Sequence, residues 1–228
     1  MSFELTWIGH ATLALKTGGY NLLVDPFLSD NPTAILDPDS VEADYILVSH
    51  GHHDHVGDTV KIAQRTGATV ISNAEICRWL TQQHIEAHGQ HLGGGHTHPF
   101  GYLKLTMALH GSALPDGSYG GNPAGFLLTT NDGEKIYMAG DTGLFGDMQL
   151  IGEEGVTLAV LPIGDNYTMG PADGLRAVKM LQPDHVIPIH YNTFDLIQQD
   201  AAAWARQVRT ETTAQVHLLD PGEQFIYP

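Results

Sequence analysis

Cysteine is nearly absent from the 228-residue chain, whose only one is Cys77. A single thiol cannot form an internal disulfide, and a chain without disulfides is typical of a reducing compartment. We therefore predict a cytoplasmic protein. Cys77 lies in a predicted helix that also carries Ile76, Trp79 and Leu80, so we interpret it as a small core residue and not as a nucleophile.

Basic residues are also scarce. The chain has 10 Lys and Arg against 26 Asp and Glu, and its formal charge is −16. Affinity for nucleic acid comes largely from Lys and Arg that contact phosphates, so this balance argues against DNA or RNA as a partner. A small molecule is the expected partner instead.

Long apolar runs are missing as well. No segment approaches the ~18 apolar residues of a membrane span, and residues 1–16 carry Glu4 and no basic start, unlike a signal peptide. We expect neither membrane insertion nor secretion. With 42% apolar residues, the chain has the composition of a globular protein, and we predict a single domain over residues 1–228. Homo-oligomerisation is left open.

Short apolar segments that end in a polar residue recur along the chain and predict strands separated by helices. A first helix is predicted from residue 57 to 66, and a second begins at Ser72 to Glu75, which have capping-box spacing. Two more are predicted, one from Pro171 to the residue before Pro183 and one over 196–208. The predicted strands cover residues 3–8, 11–16, 20–24, 45–48, 68–71, 103–109, 126–130, 135–138, 156–163, 186–189, 216–219 and 224–227. The two halves of the sequence share a pattern, because an Asp, an apolar strand and a His occur in this order at 44–50 and again at 184–190. We infer an α/β fold, a four-layer αβ/βα sandwich with two mixed sheets and helices on the outer faces.

The densest group of metal-binding side chains is Ser49-His50-Gly51-His52-His53-Asp54-His55, directly after a predicted strand. Imidazole and carboxylate groups suit zinc, manganese or iron. His50 and His52 can chelate one ion, and Asp54 with His55 can reach a second. His53 lies between them and should point away.

Three further candidates each follow their own strand. His110 and His190 can supply one neutral donor to each ion, and Asp141 is the natural shared anion. Two ions about 3.5 to 4 Å apart can hold a bridging hydroxide that attacks a carbonyl or phosphoryl centre. Asp54 and Asp141 are the candidate catalytic carboxylates.

The pattern His50-x-His52-x-Asp54-His55, with His110, Asp141 and His190 after it, resembles the signature of the metallo-β-lactamase superfamily. Other segments resemble a family of small, largely uncharacterised metal-dependent hydrolases in that superfamily, related to ascorbate-6-phosphate lactonase; these are residues 7–11, 25–27, 120–126, 139–143, 162–166 and 190–194. The resemblance implies an αβ/βα sandwich with one ion on His50, His52 and His110, and the other on Asp54, His55 and His190. Asp141 bridges the two divalent ions, which in this superfamily are usually zinc, with manganese or iron in some branches.

Several residues near these motifs have roles that the sequence leaves open. Asp25 is a candidate hydrogen-bond partner for a metal-bound imidazole, and His10 is either structural or part of the pocket. Asp165 and Asn166 are candidate residues at the rim of the site. Loop residues that either contact the substrate or serve turn packing are Tyr119, Tyr167, Met169 and Asn192. The histidines at 84, 88, 91, 96 and 98 have no fixed spacing, and we interpret them as a partly exposed surface.

These observations favour an enzyme, a metal-dependent hydrolase that cleaves a small ester, lactone or phosphoester. One alternative is a nuclease or phosphodiesterase of the same superfamily, which the acidic charge disfavours. The other is a module that binds a metal or ligand without turnover, although no position of the ligand set is lost.

Overall fold

The first of two seven-stranded sheets is built mainly from the N-terminal half of the chain. The computed structural model describes residues 2–228. This sheet has the order β14-β1-β2-β3-β4-β5-β6, antiparallel from β14 to β3 and parallel from β3 to β6. Its strands are β1 (Phe3–Gly9), β2 (Thr12–Thr17), β3 (Tyr20–Val24), β4 (Tyr45–Leu47), β5 (Thr69–Asn73), β6 (Ala87–Gln90) and β14 (Gln224–Tyr227).

The second sheet repeats this plan with the order β13-β12-β11-β10-β9-β8-β7. It is antiparallel from β7 to β10 and parallel from β10 to β13. Its strands are β7 (Gly95–His98), β8 (Gly101–Met107), β9 (Ala124–Thr130), β10 (Lys135–Met138), β11 (Leu158–Pro162), β12 (His185–Ile189) and β13 (Gln215–Val216). Both sheets are therefore mixed, as the sequence predicts.

Alternation of apolar side chains sets the layers. Successive residues of a strand point to opposite faces; on β3, Leu22 and Val24 join the core that both sheets share, whereas Leu23 joins a second core under helices. That second core includes Ile62 and Ile76 from the helices of the first half. The predicted sandwich with helices outside two sheets is confirmed. The helices are α1 (His53–Val56), α2 (Thr59–Thr66), α3 (Ala74–Thr81), α4 (Met148–Gly152), α5 (Pro171–Leu181) and α6 (Ala201–Glu211).

Helix ends follow side-chain chemistry. The Asn73 side chain accepts a hydrogen bond from Ile76 N and caps α3, so the helix starts one residue later than the Ser72 capping box predicts. Pro171 opens α5 as expected. The helix predicted from residue 196 begins only at Ala201, because Asp200 accepts from Ala203 N as its cap. None of the described helices is both long and apolar enough to cross a membrane.

Two short strands and one helix lie where the sequence predicts irregular chain. Strands β6 and β7 are four residues each, rich in Gly and His, and therefore carry little apolar alternation. Helix α4 has only five residues. Each of the two strands forms the edge of a different sheet.

Burial protects the single thiol, since Cys77 is buried on α3 and its pKa is raised by that burial to about 11. We expect the native protein at pH 8.5 to react with a thiol reagent about 100-fold more slowly than the unfolded chain, because little thiolate forms below that pKa. Labelling kinetics with and without urea measure this. Equal rates in the two states would show that the thiol is accessible.

Candidate metal centre

The seven candidate ligands all lie after the C-terminal ends of strands or in the short helix that follows one. His50 comes three residues after β4, and Asp54 and His55 lie in α1. His110 and Asp141 follow β8 and β10, and His190 follows β12 directly. Because these strand ends lie at one edge of the two sheets, residues far apart in sequence meet there.

Three histidines form one group. His50 Nε2 lies 2.9 Å from His52 Nδ1, and His110 Nε2 lies 3.2 Å from the same atom. The His50 ring is fully buried, and burial, reinforced by the neighbouring His55, holds its pKa well below the usual range. Burial also lowers the pKa of His110. The His50 and His110 imidazoles therefore favour the neutral form, which keeps the lone pair that a metal ion requires.

A second group surrounds Asp54. The Asp54 Oδ2 atom is 3.8 Å from His55 Nε2, 3.9 Å from His190 Nε2 and 3.1 Å from His10 Nε2. One potential ligand atom from each of these four residues lies within 4.8 Å of the others. His10 is therefore a member of this second group. The sequence alone left open whether His10 is structural or part of the pocket.

Asp141 lies between the two groups. Its Oδ1 is 3.3 Å from His55 Nε2, while its Oδ2 is 3.1 Å from His190 Nε2 and 3.6 Å from His110 Nε2. One carboxylate therefore faces histidines of both groups.

Some polar atoms at this centre are buried and have no hydrogen bond, although others, such as His50 Nε2 and His10 Nε2, have a partner. Within the described chain, Asp141 Oδ1, His55 Nε2 and both ring nitrogens of His190 have no hydrogen-bond partner. A buried polar atom without a partner costs roughly 1–3 kcal/mol. A metal ion would be the missing partner of these converging donor atoms. The residues therefore fit divalent ions.

The pKa shifts of Asp141 and His55 also indicate a site for a cation. Burial raises the pKa of a carboxyl group, but the imidazoles of His190 and His55 outweigh it and hold the pKa of Asp141 well below its usual range. Conversely, burial lowers the pKa of His55, but the carboxylates of Asp141 and Asp25 hold it well above the usual value. The buried carboxylates therefore require positive charge beside them, which a metal cation also supplies.

Asp25 and Ser49 orient two of the candidate ligands, His55 and His50, through contacts with their Nδ1 atoms. The Asp25 carboxylate accepts from Ser49 N at 2.7 Å and Ser49 Oγ at 2.6 Å, and His55 Nδ1 lies 2.9 Å from it. Because a carboxylate only accepts, His55 donates from Nδ1 to Asp25, and Nε2 is the ring nitrogen that faces the centre. Ser49 Oγ in turn lies 3.0 Å from His50 Nδ1 and fixes that ring in the same way. Asp25 is a predicted partner, whereas the sequence analysis missed Ser49.

His10 is fixed between Thr193 and Asp54. Its Nδ1 is 2.9 Å from Thr193 Oγ1, and burial lowers its pKa to about 4 despite the bond to Asp54. The neutral ring then donates from Nε2 to Asp54 and accepts the Thr193 hydroxyl proton at Nδ1. Thr193 lies in the segment 190–194 that resembles the hydrolase family, but the sequence does not predict its hydrogen bond to His10.

Backbone strain is concentrated around this centre. Eight non-glycine residues of the described chain have positive φ, and six of them are site candidates. Such conformations cost about 1–3 kcal/mol and persist where surrounding structure enforces them. The six are His10, Asp25, Asp165, Asn166, His190 and Asn192.

The rim candidates Asp165 and Asn166 and the candidate substrate contact Asn192 make hydrogen bonds within their own loops. Asp165 Oδ1 accepts from Asn166 N, and Asn192 Oδ1 accepts from Gln199 N. The loop residue Met169 is buried, whereas Tyr119 and Tyr167 are exposed. His53 points outward, as the motif spacing predicts, and lies 3.0 Å from Asp30.

Sequence comparison places the chain among known proteins. A family profile described as the beta-lactamase superfamily domain matches residues 20–191. A UPF0173 metal-dependent hydrolase from Desulforamulus reducens is 48% identical over 225 residues, which cover 96% of this chain and 98% of that protein.

Structure comparison agrees. A metallo hydrolase from the hyperthermophilic archaeon Ignicoccus hospitalis superposes with a TM-score of 0.90 at 34% identity, over 100% of both chains. The metallo-beta-lactamase fold protein YhfI from Bacillus subtilis superposes with a TM-score of 0.75 at 14% identity, covering 98% of each chain. The second likeness shows the fold alone.

Proposed function

Since the chain belongs to the UPF0173 metal-dependent hydrolases of the beta-lactamase superfamily, we propose that it cleaves a small ester, lactone or phosphoester at a centre of two divalent ions. Zinc suits the donors best, because five imidazoles and two carboxylates form the set. One ion is held by His50, His52 and His110, and the other by Asp54, His55 and His190. Asp141 is shared.

The position of Asp141 carries this proposal. A carboxylate with one oxygen facing His55 and the other facing His110 and His190 has the geometry of a shared anion. A centre for one ion needs no acceptor between two separate histidine groups.

When bound, two divalent ions would supply Lewis acidity to the substrate and would lower the pKa of water toward about 7, which would make hydroxide available as the nucleophile. The protein's own residues orient the ligands and accept a proton. Asp25 and Ser49 hold His55 and His50 in the tautomers that direct Nε2 inward. The Asp54 side chain is one-third exposed and can accept a proton from water at the mouth of the site, with His10 fixing its orientation.

A substrate panel tests the proposal. We would assay zinc-loaded protein against esters, lactones, phosphomonoesters and phosphodiesters, beside His52→Ala and the matched control His53→Ala. Turnover that His52→Ala loses and His53→Ala keeps is the expected result. No turnover across the panel at two bound ions per chain would favour a binding module, and turnover confined to phosphodiesters within nucleic acid would favour a nuclease.

Asp25 provides a test of the supporting contacts. We expect Asp25→Asn to weaken zinc affinity by about 10- to 100-fold, since His55 loses the carboxylate that fixes its tautomer. Zinc competition with a chromophoric chelator measures the affinity. The control is Asp58→Asn, because Asp58 is another buried carboxylate, and it accepts from Leu28 N and Ser29 N and not from any of the seven candidate ligands. Equal losses in both variants would contradict the assigned role.

A further inference from the structure

Three histidines outside the central site gather where the edges of the two sheets meet. His88 lies on β6, the edge strand of the first sheet, and His96 and His98 lie on β7, the edge strand of the second. The ring centroids are 4.5 Å apart for His88 and His96, 5.0 Å for His88 and His98, and 4.8 Å for His96 and His98. None of the seven central ligands lies on these two strands.

The strand geometry explains the grouping. His96 and His98 are two residues apart on an extended strand, so their side chains leave the same face. His88 meets that face from the other sheet. The sequence alone gives no spacing that joins 88 to 96 and 98, because the contact is made between two edge strands.

The contacts of His98 fix its protonation pattern. Gln90 Nε2 donates to Leu103 O at 3.1 Å, so the amide oxygen Oε1 is turned toward His98 Nε2, at 3.3 Å. An amide oxygen only accepts, hence His98 carries its proton on Nε2. Its lone pair is then on Nδ1, and the bond to Gln90 is the type of contact that commonly supports a metal-binding imidazole. The ring also stacks on Phe100, with centroids 5.1 Å apart.

Two of the three rings, those of His88 and His98, have a lowered pKa. Burial, with His88 and His96 nearby, lowers the pKa of His98 to about 4, and burial with His96 lowers that of His88. Both rings are therefore neutral near pH 7, as metal coordination requires.

We propose that His88, His96 and His98 form a second binding site for a divalent transition metal, which joins the edge strands of the two sheets. Three imidazoles suit zinc, nickel or copper(II). Among the described residues, every set of three potential ligand atoms within 4.8 Å of one another belongs to the central site, so metal binding by His88, His96 and His98 requires at least one of these rings to turn. His96 is exposed, and its rotation breaks no hydrogen bond of the described residues.

Metal counting on the intact protein tests the site. Wild type, His96→Ala, His88→Ala and the control His91→Ala would be saturated with zinc, passed through a desalting column and analysed for zinc per chain. His91 is an exposed neighbour outside the cluster. We expect His96→Ala and His88→Ala each to retain one zinc fewer than wild type, and His91→Ala to retain the full number.

A second measurement separates this site from the central one. In the His52→Ala variant, His10, Asp54, His55 and His190 of the central site can still bind copper. With copper(II) added at three equivalents, the further change His96→Ala should therefore reduce the electron paramagnetic resonance signal of nitrogen-coordinated copper by about one copper per chain. Equal zinc content in wild type and His96→Ala, or an unchanged copper signal, would overturn the proposal. A loss shared by His91→Ala would likewise overturn it, as non-specific binding to surface histidines.

Discussion

Replacing Asp141 by asparagine is expected to reduce kcat/KM on the substrate found in the panel by about 1,000-fold, the cost of removing one charge-stabilising group from a preorganised site. The amide keeps the size of the side chain but has one acceptor atom and no charge. It cannot balance positive charge on both sides. We also expect zinc content to fall from two ions per chain toward one.

Both readouts need a control for general damage to the fold. Asp58→Asn also neutralises a buried carboxylate and should retain two zinc ions and nearly full activity. If Asp141→Asn keeps both ions with normal affinity, Asp141 is not the shared ligand. In that case the proposed assignment of ions is wrong even if activity is lost.

Metal removal should have the second large effect. The central atoms without hydrogen bonds, such as Asp141 Oδ1 and His190 Nε2, gain partners when an ion binds. An ion at 1,000 times its Kd stabilises the folded state by about 4 kcal/mol. A chain of this size shifts by roughly 2–4 °C per kcal/mol, so chelation should lower Tm by about 8–16 °C for each such ion.

Calorimetry with and without a chelator measures this shift, and re-addition of zinc should restore the original Tm. His53→Ala should show the wild-type shift, because His53 faces Asp30 at the surface. A shift below about 2 °C, which the same conversion equates with about 1 kcal/mol or less, would mean that the folded state gains little from its metals.

Much of the fold follows from local pattern. Alternating strands such as Phe3–Gly9, the Gly18-Gly19 turn before β3, and Pro171 at the start of α5 each carry a signal within a few residues. Strands β6 and β7 carry none, since Gly and His dominate them and their place is set by neighbouring strands. Helix α6 starts late because the Asp200 cap competes with a longer amphipathic pattern.

The residues of the candidate site likewise differ in whether a local sequence pattern predicts them. Histidines and aspartates that directly follow apolar strands can be found from sequence, because the ends of parallel strands share an edge. Ser49 and Thr193 cannot, since their roles come from hydrogen bonds to Asp25 and His10, residues distant in the chain. The positive φ of Asn192 or Asp165 has no sequence signal either, beyond the tolerance of Asn and Asp for that region.

Anomalous diffraction from crystals of the zinc-loaded protein tests the central claim most directly. We predict two peaks about 3.5–4 Å apart, the first among His50, His52 and His110, the second among Asp54, His55 and His190, with Asp141 in contact with both. A single peak held by His10, Asp54, His55 and His190, with nothing bound near His52, would contradict the dinuclear centre.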